Sequence, residues 1–346
     1  MINKVPFNGA GYLEVRDLIP HLQPFTWIWG GRGTGKTYGF LEYVRYISPT
    51  PFLLLRRTQK QIDLLTKLNP FRPIDGNNDG LTACKKDGEI SVFYAGVMED
   101  GRIQPAGPPL GYAVALSTIH NIRGVNLDVS WVIYDEYIPE PHERPIKDEY
   151  LAFLNALETI GRNRELQGLP PMQFVGLSNA NTLGNPYFLG MQVVRIVDRM
   201  LQRPQEIWQD PDRGLMLVNI CRSPVSQAKA ETALYKLAGD GEFTAMALDN
   251  DFTADHCSRQ GSIPLAECDP VVTVGEITLY EHKRKTDLLY CCDHRSGNPD
   301  TIKADDTGLK RFRRDYWWII DSYLDGSIVF KDILCEVLLK RYLNLA

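Results

Sequence analysis

No stretch of the 346 residues is apolar for long enough to span a bilayer, and the N-terminus lacks the basic-then-apolar pattern of a secretory signal. The chain is therefore expected to stay in the cytoplasm, with no membrane partner. Metal and disulfide patterns are missing as well. The seven cysteines are odd in number and show no CxxC pairing or His/Cys ligand spacing, which reads as reduced thiols. A net basic charge is also lacking: 38 Lys and Arg stand against 43 Asp and Glu, a formal charge of −5. Proteins that coat nucleic acid are usually basic, so any phosphate contact must be confined to a patch or loop. There is no internal repeat and no low-complexity tract. What remains is an ordinary globular composition, 44% hydrophobic and 23% charged, at a length that suits two domains.

Strand and helix patterns alternate through the first 200 residues. Phe25–Trp29 is a short apolar run ending at Gly30, followed by a Gly-rich turn and helical spacing from Lys36 to Ile47. Pro49 and Pro51 stop that helix before a second apolar run, Phe52–Leu55, and a helix over 58–68. Residues 70–112, rich in Gly, Pro, Asn and Asp, predict a β-rich excursion and a candidate DNA loop. Further strands are expected at 113–116, 129–134 and 173–177, a helix at 150–160, and a helix or helix-strand passage at 187–197. This alternation predicts a three-layer α/β domain with a mainly parallel sheet over residues 1–205. Residues 1–24 read as a leader or strap. Residues 206–250 are weakly patterned, with one helix at 226–237, and are expected to form a linker domain. Residues 251–346 predict a smaller α+β domain, with strands at 271–280 and 287–292 and helices at 309–324 and 328–343.

Gly30-Gly31-Arg32-Gly33-Thr34-Gly35-Lys36-Thr37 fits G-x-x-x-x-G-K-[ST] in full, with a strand before it and a helix after it. Glycines let backbone N–H groups curl around phosphates, and the helix N-terminus adds a favourable dipole. Lys36 is expected to bridge the β- and γ-phosphates of ATP, and Thr37 to ligate Mg²⁺. About a hundred residues on, the apolar run Val129–Tyr134 ends in Asp135 and Glu136. Asp135 is the candidate metal-side carboxylate and Glu136 the candidate general base for the attacking water. Acids also cap strands, but this pair follows a P-loop at the right remove.

Other residues carry two readings each. Arg162 and Arg164, in Gly161-Arg-Asn-Arg-Glu165, are either an arginine finger for a neighbouring copy or a solvated helix end. Arg32 either contacts phosphate or projects toward an adjacent subunit. Asn179, after Leu177-Ser178, either senses nucleotide and water or makes an ordinary turn. Arg56, Arg57 and Lys60 form either a subunit-bridging or DNA-sensing cluster or surface salt bridges. His282–Lys285 and Lys310–Arg314, the latter followed by Tyr316, Trp317 and Trp318, are either phosphate-binding clusters with stacking aromatics or solvated faces over a core. Asp249, Asp251, Asp269 and Asp293 do not make the spacing of a two-metal nuclease.

In order, these segments resemble the phi29-like phage DNA-packaging ATPases: Trp29–Thr37 with its Arg, Phe52–Arg57, Val129–Tyr137, Arg162–Glu165, Leu177–Ala180 with Asn185–Phe188, and Gly241-Glu242 with Leu248–Asn250. The resemblance is collinear over 25–252 and more general beyond. It implies an ASCE-type ATPase domain similar to the FtsK/HerA translocases, with Lys36 and Thr37 as the Walker A pair and Asp135 and Glu136 as the Walker B pair. It implies Arg162 as a finger acting in trans. The family's lysine after the paired arginines is displaced here, with Gln59 in its place and Lys60 beside it. The implied partners are double-stranded DNA, further copies in a ring (a pentamer in the phi29 case), the portal of a prohead and a structural RNA. The implied C-terminal fold is RNase H-like with its catalytic acids lost, and the implied location is the host cytoplasm, at the portal vertex during packaging and not in the mature virion. A translocase acting outside packaging shares every active-site residue. A nucleotide-gated binding protein and a terminase with a live nuclease are the other readings.

Overall fold

The structure, a computed structural model, describes residues 2–122, 127–140, 143–161, 164–221, 223–241, 244–249, 252 and 259–345. The chain divides into two compact units, residues 1–181 with 202–251, and residues 182–201 with 252–346.

The first unit is built on nine strands: β1 (Phe25–Gly30), β2 (Phe52–Arg56), β3 (Thr82–Asp87), β4 (Ile90–Glu99), β5 (Arg102–Ala115), β6 (Trp131–Asp135), β7 (Gln173–Ser178), β8 (Ile207–Asp210) and β9 (Leu215–Ile220). Their order is β3-β4-β5-β2-β6-β7-β1-β9-β8. The six strands from β5 to β9 pair in parallel, while β3, β4 and β8 add antiparallel edges. The central strands are continuous apolar runs because both faces are covered. Alternate side chains feed two cores. Ile28, Leu54, Ile133, Val175 and Val218 pack with Phe40, Leu41 and Val44 of the helix Lys36–Tyr46. On the opposite parity, Trp27 meets Tyr137, Phe153 and Phe174 at ring separations of 4.7, 5.4 and 4.8 Å, and Phe153 belongs to the helix Glu149–Gly161. This is the expected three-layer arrangement. Gly176 lies opposite Trp27 in register, where a Cβ would sit 2.6 Å from the indole ring.

Residues 206–250 differ from the expected linker domain. Their first part supplies β8 and β9, and β9 pairs along the whole of β1. A strand buried on both faces shows no alternation, so Leu215–Ile220 gives no periodic signal. The helix expected over 226–237 is two short helices, Pro224–Ala230 and Ala233–Ala238. The 70–112 excursion is β3 and the long β4–β5 hairpin, preceded by the helix Arg72–Asn77.

The second unit has five strands, β10 (Cys268–Val274), β11 (Ile277–His282), β12 (Leu289–Cys292), β13 (Asp300–Ile302) and β14 (Ile328–Phe330), in the order β13-β10-β11-β12-β14. The central three form an antiparallel meander, and β13 and β14 join its two edges in parallel. Helices Asp306–Asp315, Trp318–Leu324 and Ile333–Leu343 give this unit its α+β character. The expected helix over 328–343 begins later, because Ile328–Phe330 is strand and Asp332 caps the helix by accepting from Cys335 N. The helical passage expected over 187–197 belongs to this unit as two helices, Pro186–Gly190 and Val194–Gln202. Asn185 Oδ1 starts the first by accepting from Tyr187 N and Phe188 N. Among the described residues no helix is long and apolar enough to cross a membrane.

Candidate functional site

The sheet order places the site. β7 lies between β1 and β6, so the P-loop after β1, the acids after β6 and the Ser178-Asn179 end of β7 meet at one edge. They line one cavity of about 760 Å³ in the first unit, which includes Arg32–Thr37, Asp135, Glu136 and Asn179.

The loop Gly30–Gly35 turns through the left-handed region at Gly33 (φ 68°) and Gly35 (φ 89°), where a side chain would be strained. Lys36 opens the helix and folds its ammonium back into the loop. Nζ donates to Gly30 O (2.9 Å), Gly31 O (2.8 Å) and Thr34 Oγ1 (3.3 Å). Burial lowers its pKa to about 7, against the opposing pull of Asp135 and with help from Lys229 and Arg32. Thr37 Oγ1 donates to Asp135 Oδ1 at 2.8 Å. A hydroxyl and a carboxylate side by side are hard oxygen donors of the kind Mg²⁺ takes.

The acid pair is held by Arg56, which the sequence offered as part of a subunit-bridging or DNA-sensing cluster or as a surface salt bridge. It binds Asp135 Oδ2 at 2.6 Å and also pairs with Glu136 Oε2. The carboxylate of Glu136 is thrown clear of β6 because its backbone enters the left-handed region (φ 58°), with both Glu136 N and Tyr137 N donating to Leu177 O. Desolvation raises the pKa of Glu136; Arg56 opposes this, and Asp135 and Glu140 add to it. Arg57 is not on the surface either. Fully buried, it makes two bonds to Glu149 (2.7 and 2.9 Å) and one to Glu143 (2.6 Å). Burial would lower its pKa, and these carboxylates more than offset that, holding it above the ordinary value.

Arg32 pairs with Glu140 at 2.6 Å. Its peptide is gripped from outside the loop: its N–H donates to Ala247 O (3.0 Å) and its carbonyl accepts from Lys229 Nζ (2.6 Å). Lys229 went unnoticed in the sequence, since nothing local marks a lysine that returns to a loop 197 residues earlier. Asn179 lines the cavity. Its neighbour Ser178 accepts from Ile138 N through Oγ, which ties β7 to the turn after the acid pair. Arg162 lies outside the described residues, as does Asp251. Arg164 is engaged within its own chain, donating to Pro170 O and Ser130 Oγ at 3.0 Å each.

In the second unit the cluster Lys310–Arg314 is largely committed. Arg311 binds Asp300 and Asp315, Arg314 binds Asp315, Arg313 donates to Tyr342 O, and Phe312 is core. Asp293 is occupied by Lys331 and Arg195. Among the described residues no group of three or more His, Cys, Asp or Glu side chains could hold a metal.

A mainly parallel sheet with a P-loop after β1 and an acid pair after β6, the two strands separated by β7, defines a P-loop ATPase fold. The chain belongs to the Podovirus DNA encapsidation protein (Gp16) family, whose profile matches residues 10–259. Phage DNA packaging is the function of that class. Among solved structures, the Phi-28 gp11 DNA packaging motor matches with a TM-score of 0.61 at 17% identity, covering 97% of this chain and 98% of that one. The bacteriophage Phi-29 viral genome packaging motor assembly matches with a TM-score of 0.63 at 15% identity, covering 96% and 99%. At such identities the likeness is one of fold. A comparison with curated protein sequences finds no match.

Proposed function

We propose that this chain hydrolyses ATP in the cleft formed by the P-loop, Asp135 and Glu136, and that copies arranged in a ring use the cycle to drive double-stranded DNA into a prohead. The reading is carried by one observation. Thr37 Oγ1 and Asp135 Oδ1 stand 2.8 Å apart beside a glycine loop filled by a buried lysine. When bound, Mg²⁺ supplies positive charge to the phosphate oxygens, and Thr37 and Asp135 are the residues that would hold it. Lys36 binds the terminal phosphates. Glu136 takes a proton from water as the water oxygen bonds the γ-phosphorus, and the bond from that phosphorus to the ADP oxygen breaks. Asn179 orients the water. Arg162 of a neighbouring copy offsets the charge that develops.

The same reading extends to the partners: a pentameric ring seated on the portal, with a structural RNA in the motor, in the cytoplasm of the host. Its test is ATP turnover against protein concentration for wild type, Arg162→Ala, Glu136→Gln and an equimolar mixture of the two variants. A specific rate that rises with concentration, and partial recovery on mixing, support a site shared between copies. A flat specific rate with no recovery overturns the shared site. DNA-dependent turnover that ignores empty proheads overturns packaging in favour of a translocase acting elsewhere.

A further inference from the structure

The cavity, about 760 Å³, is larger than a triphosphate needs. Beyond the P-loop it runs between the N-terminal strap and the helix Lys36–Tyr46, where its walls are Tyr12, Arg16, Tyr38, Glu42 and Asn77. The strap is fastened in place. Leu13 N donates to Thr34 O (2.9 Å), and Ser223 Oγ donates to Gly11 O (3.0 Å). A Cβ on Gly39 would sit 2.6 Å from Val15 Cγ2, so the strap lies directly on the helix.

Two features of this outer chamber point to a ligand. Tyr12 is a large aromatic left 42% exposed, yet it packs against the P-loop: a Cβ on Gly35 would lie 3.0 Å from Tyr12 Cβ and 3.4 Å from its ring atom Cδ1. Asn77, which lines the cavity, donates one Nδ2 hydrogen to Tyr38 Oη (2.8 Å), and that bond orients the amide and its acceptor Oδ1. An exposed ring offers a stacking face to any base. A fixed acceptor favours a base edge that carries an amino group and disfavours one that carries a carbonyl.

We infer that the chamber walled by Tyr12 and Asn77 is the nucleobase subsite, that Tyr12 stacks on the base, and that Asn77 Oδ1 accepts from the 6-amino group of adenine and so selects ATP over GTP. This rests on the ATPase reading above and adds the residues that choose the base. It also gives the strap a role: the segment that carries Tyr12 is bonded to the loop that carries the phosphates.

The experiment is calorimetric binding of ATP, GTP and tripolyphosphate, each with Mg²⁺, to wild type, Tyr12→Ala, Tyr12→Phe and Asn77→Ala. Tripolyphosphate has the phosphates and no base. Tyr12→Ala is expected to weaken ATP about 5- to 100-fold, the range that base-on-aromatic stacking supplies, and to leave tripolyphosphate within about twofold. Tyr12→Phe keeps the ring and should bind ATP as wild type does. In Asn77→Ala the ratio of ATP to GTP affinity should fall toward one. Equal weakening of ATP and tripolyphosphate by Tyr12→Ala, or unchanged ATP affinity and selectivity in both alanine variants, overturns the subsite. Wild type that binds neither ATP nor tripolyphosphate overturns the ATPase reading itself.

Discussion

Nucleotide binding should take up a proton, because the lysine that meets the phosphates is close to half neutral at pH 7. The fall of Lys36 from 10.5 to about 7 is caused first by burial. At 1.36 kcal/mol per pKa unit it corresponds to about 5 kcal/mol of disfavour for the ammonium. A polyphosphate placed against Nζ favours the charged form and restores the proton. With a pKa of about 7, roughly nine-tenths of the lysine is neutral at pH 8, so about 0.9 proton should be taken up per nucleotide. The affinity should weaken about tenfold from pH 8 to pH 9, since each further unit removes another tenfold of the charged lysine. The assay is titration calorimetry of Mg-ATP at pH 8 in buffers of different ionisation enthalpy, where the slope of the observed heat counts protons. Lys36→Arg, whose guanidinium stays charged, should show no uptake where it binds. A wild-type slope near zero at pH 8, with an affinity that is flat up to pH 9, refutes the argument that burial holds Lys36 near neutrality.

Glu136→Gln should lower turnover by about 10²- to 10⁴-fold with little change in nucleotide affinity, as single-turnover measurements would report. Because desolvation raises the Glu136 pKa and Arg56 holds it back, the acid limb of kcat should lie above the ordinary glutamate range and climb further in Arg56→Met; a limb that stays put in that variant removes Arg56 from the base's environment. Arg57→Met leaves Glu149 buried without its cation and should destabilise the protein by about 3–5 kcal/mol in urea unfolding, while adding Glu149→Met should recover much of the loss. Arg32→Ala breaks an ion pair whose two side chains are 40% and 39% exposed, so its unfolding free energy should stay within about 1 kcal/mol of wild type.

The parts of the site that were legible in the sequence are those whose chemistry is contiguous. The P-loop declares itself because seven consecutive peptide units must wrap one ligand, and Asp135-Glu136 because a buried strand must end where its acids begin. Arg56 and Arg57 show the limit. Adjacent in sequence, they looked like one basic cluster. Their partners lie 79 to 92 residues away, and only the strand order β2-β6 brings β2 alongside β6 and its two acids. Lys229 was hidden for the same reason. β9 was missed for a different one: Leu-Met-Leu-Val-Asn-Ile is apolar throughout, and periodicity is silent for a strand buried on both faces. Residues 1–24 read as a leader or strap, and Tyr12 acquires meaning only once Gly35 is known to lie against it.

The two arginines also divide a mechanical task. Arg57 is fully buried and its guanidinium makes three bonds to two carboxylates and one to Arg144 O, so it fixes the end of β2 to the helix Glu149–Gly161. Arg56, one residue earlier, is the last residue of β2. Its side chain is 15% exposed and its Nε is buried without a partner, while its two terminal nitrogens span Asp135 and Glu136. Asp135 thereby has one oxygen committed to Thr37 and the other to Arg56. Each of these oxygens keeps a further lone pair, so a cation can bind Asp135 beside both partners. The strand end that carries Arg56 is held by the bonds of Arg57 to Glu143 and Glu149. Adjacent arginines at one strand end thus hold different things, Arg56 the acid pair and Arg57 the first turn of the helix Glu149–Gly161.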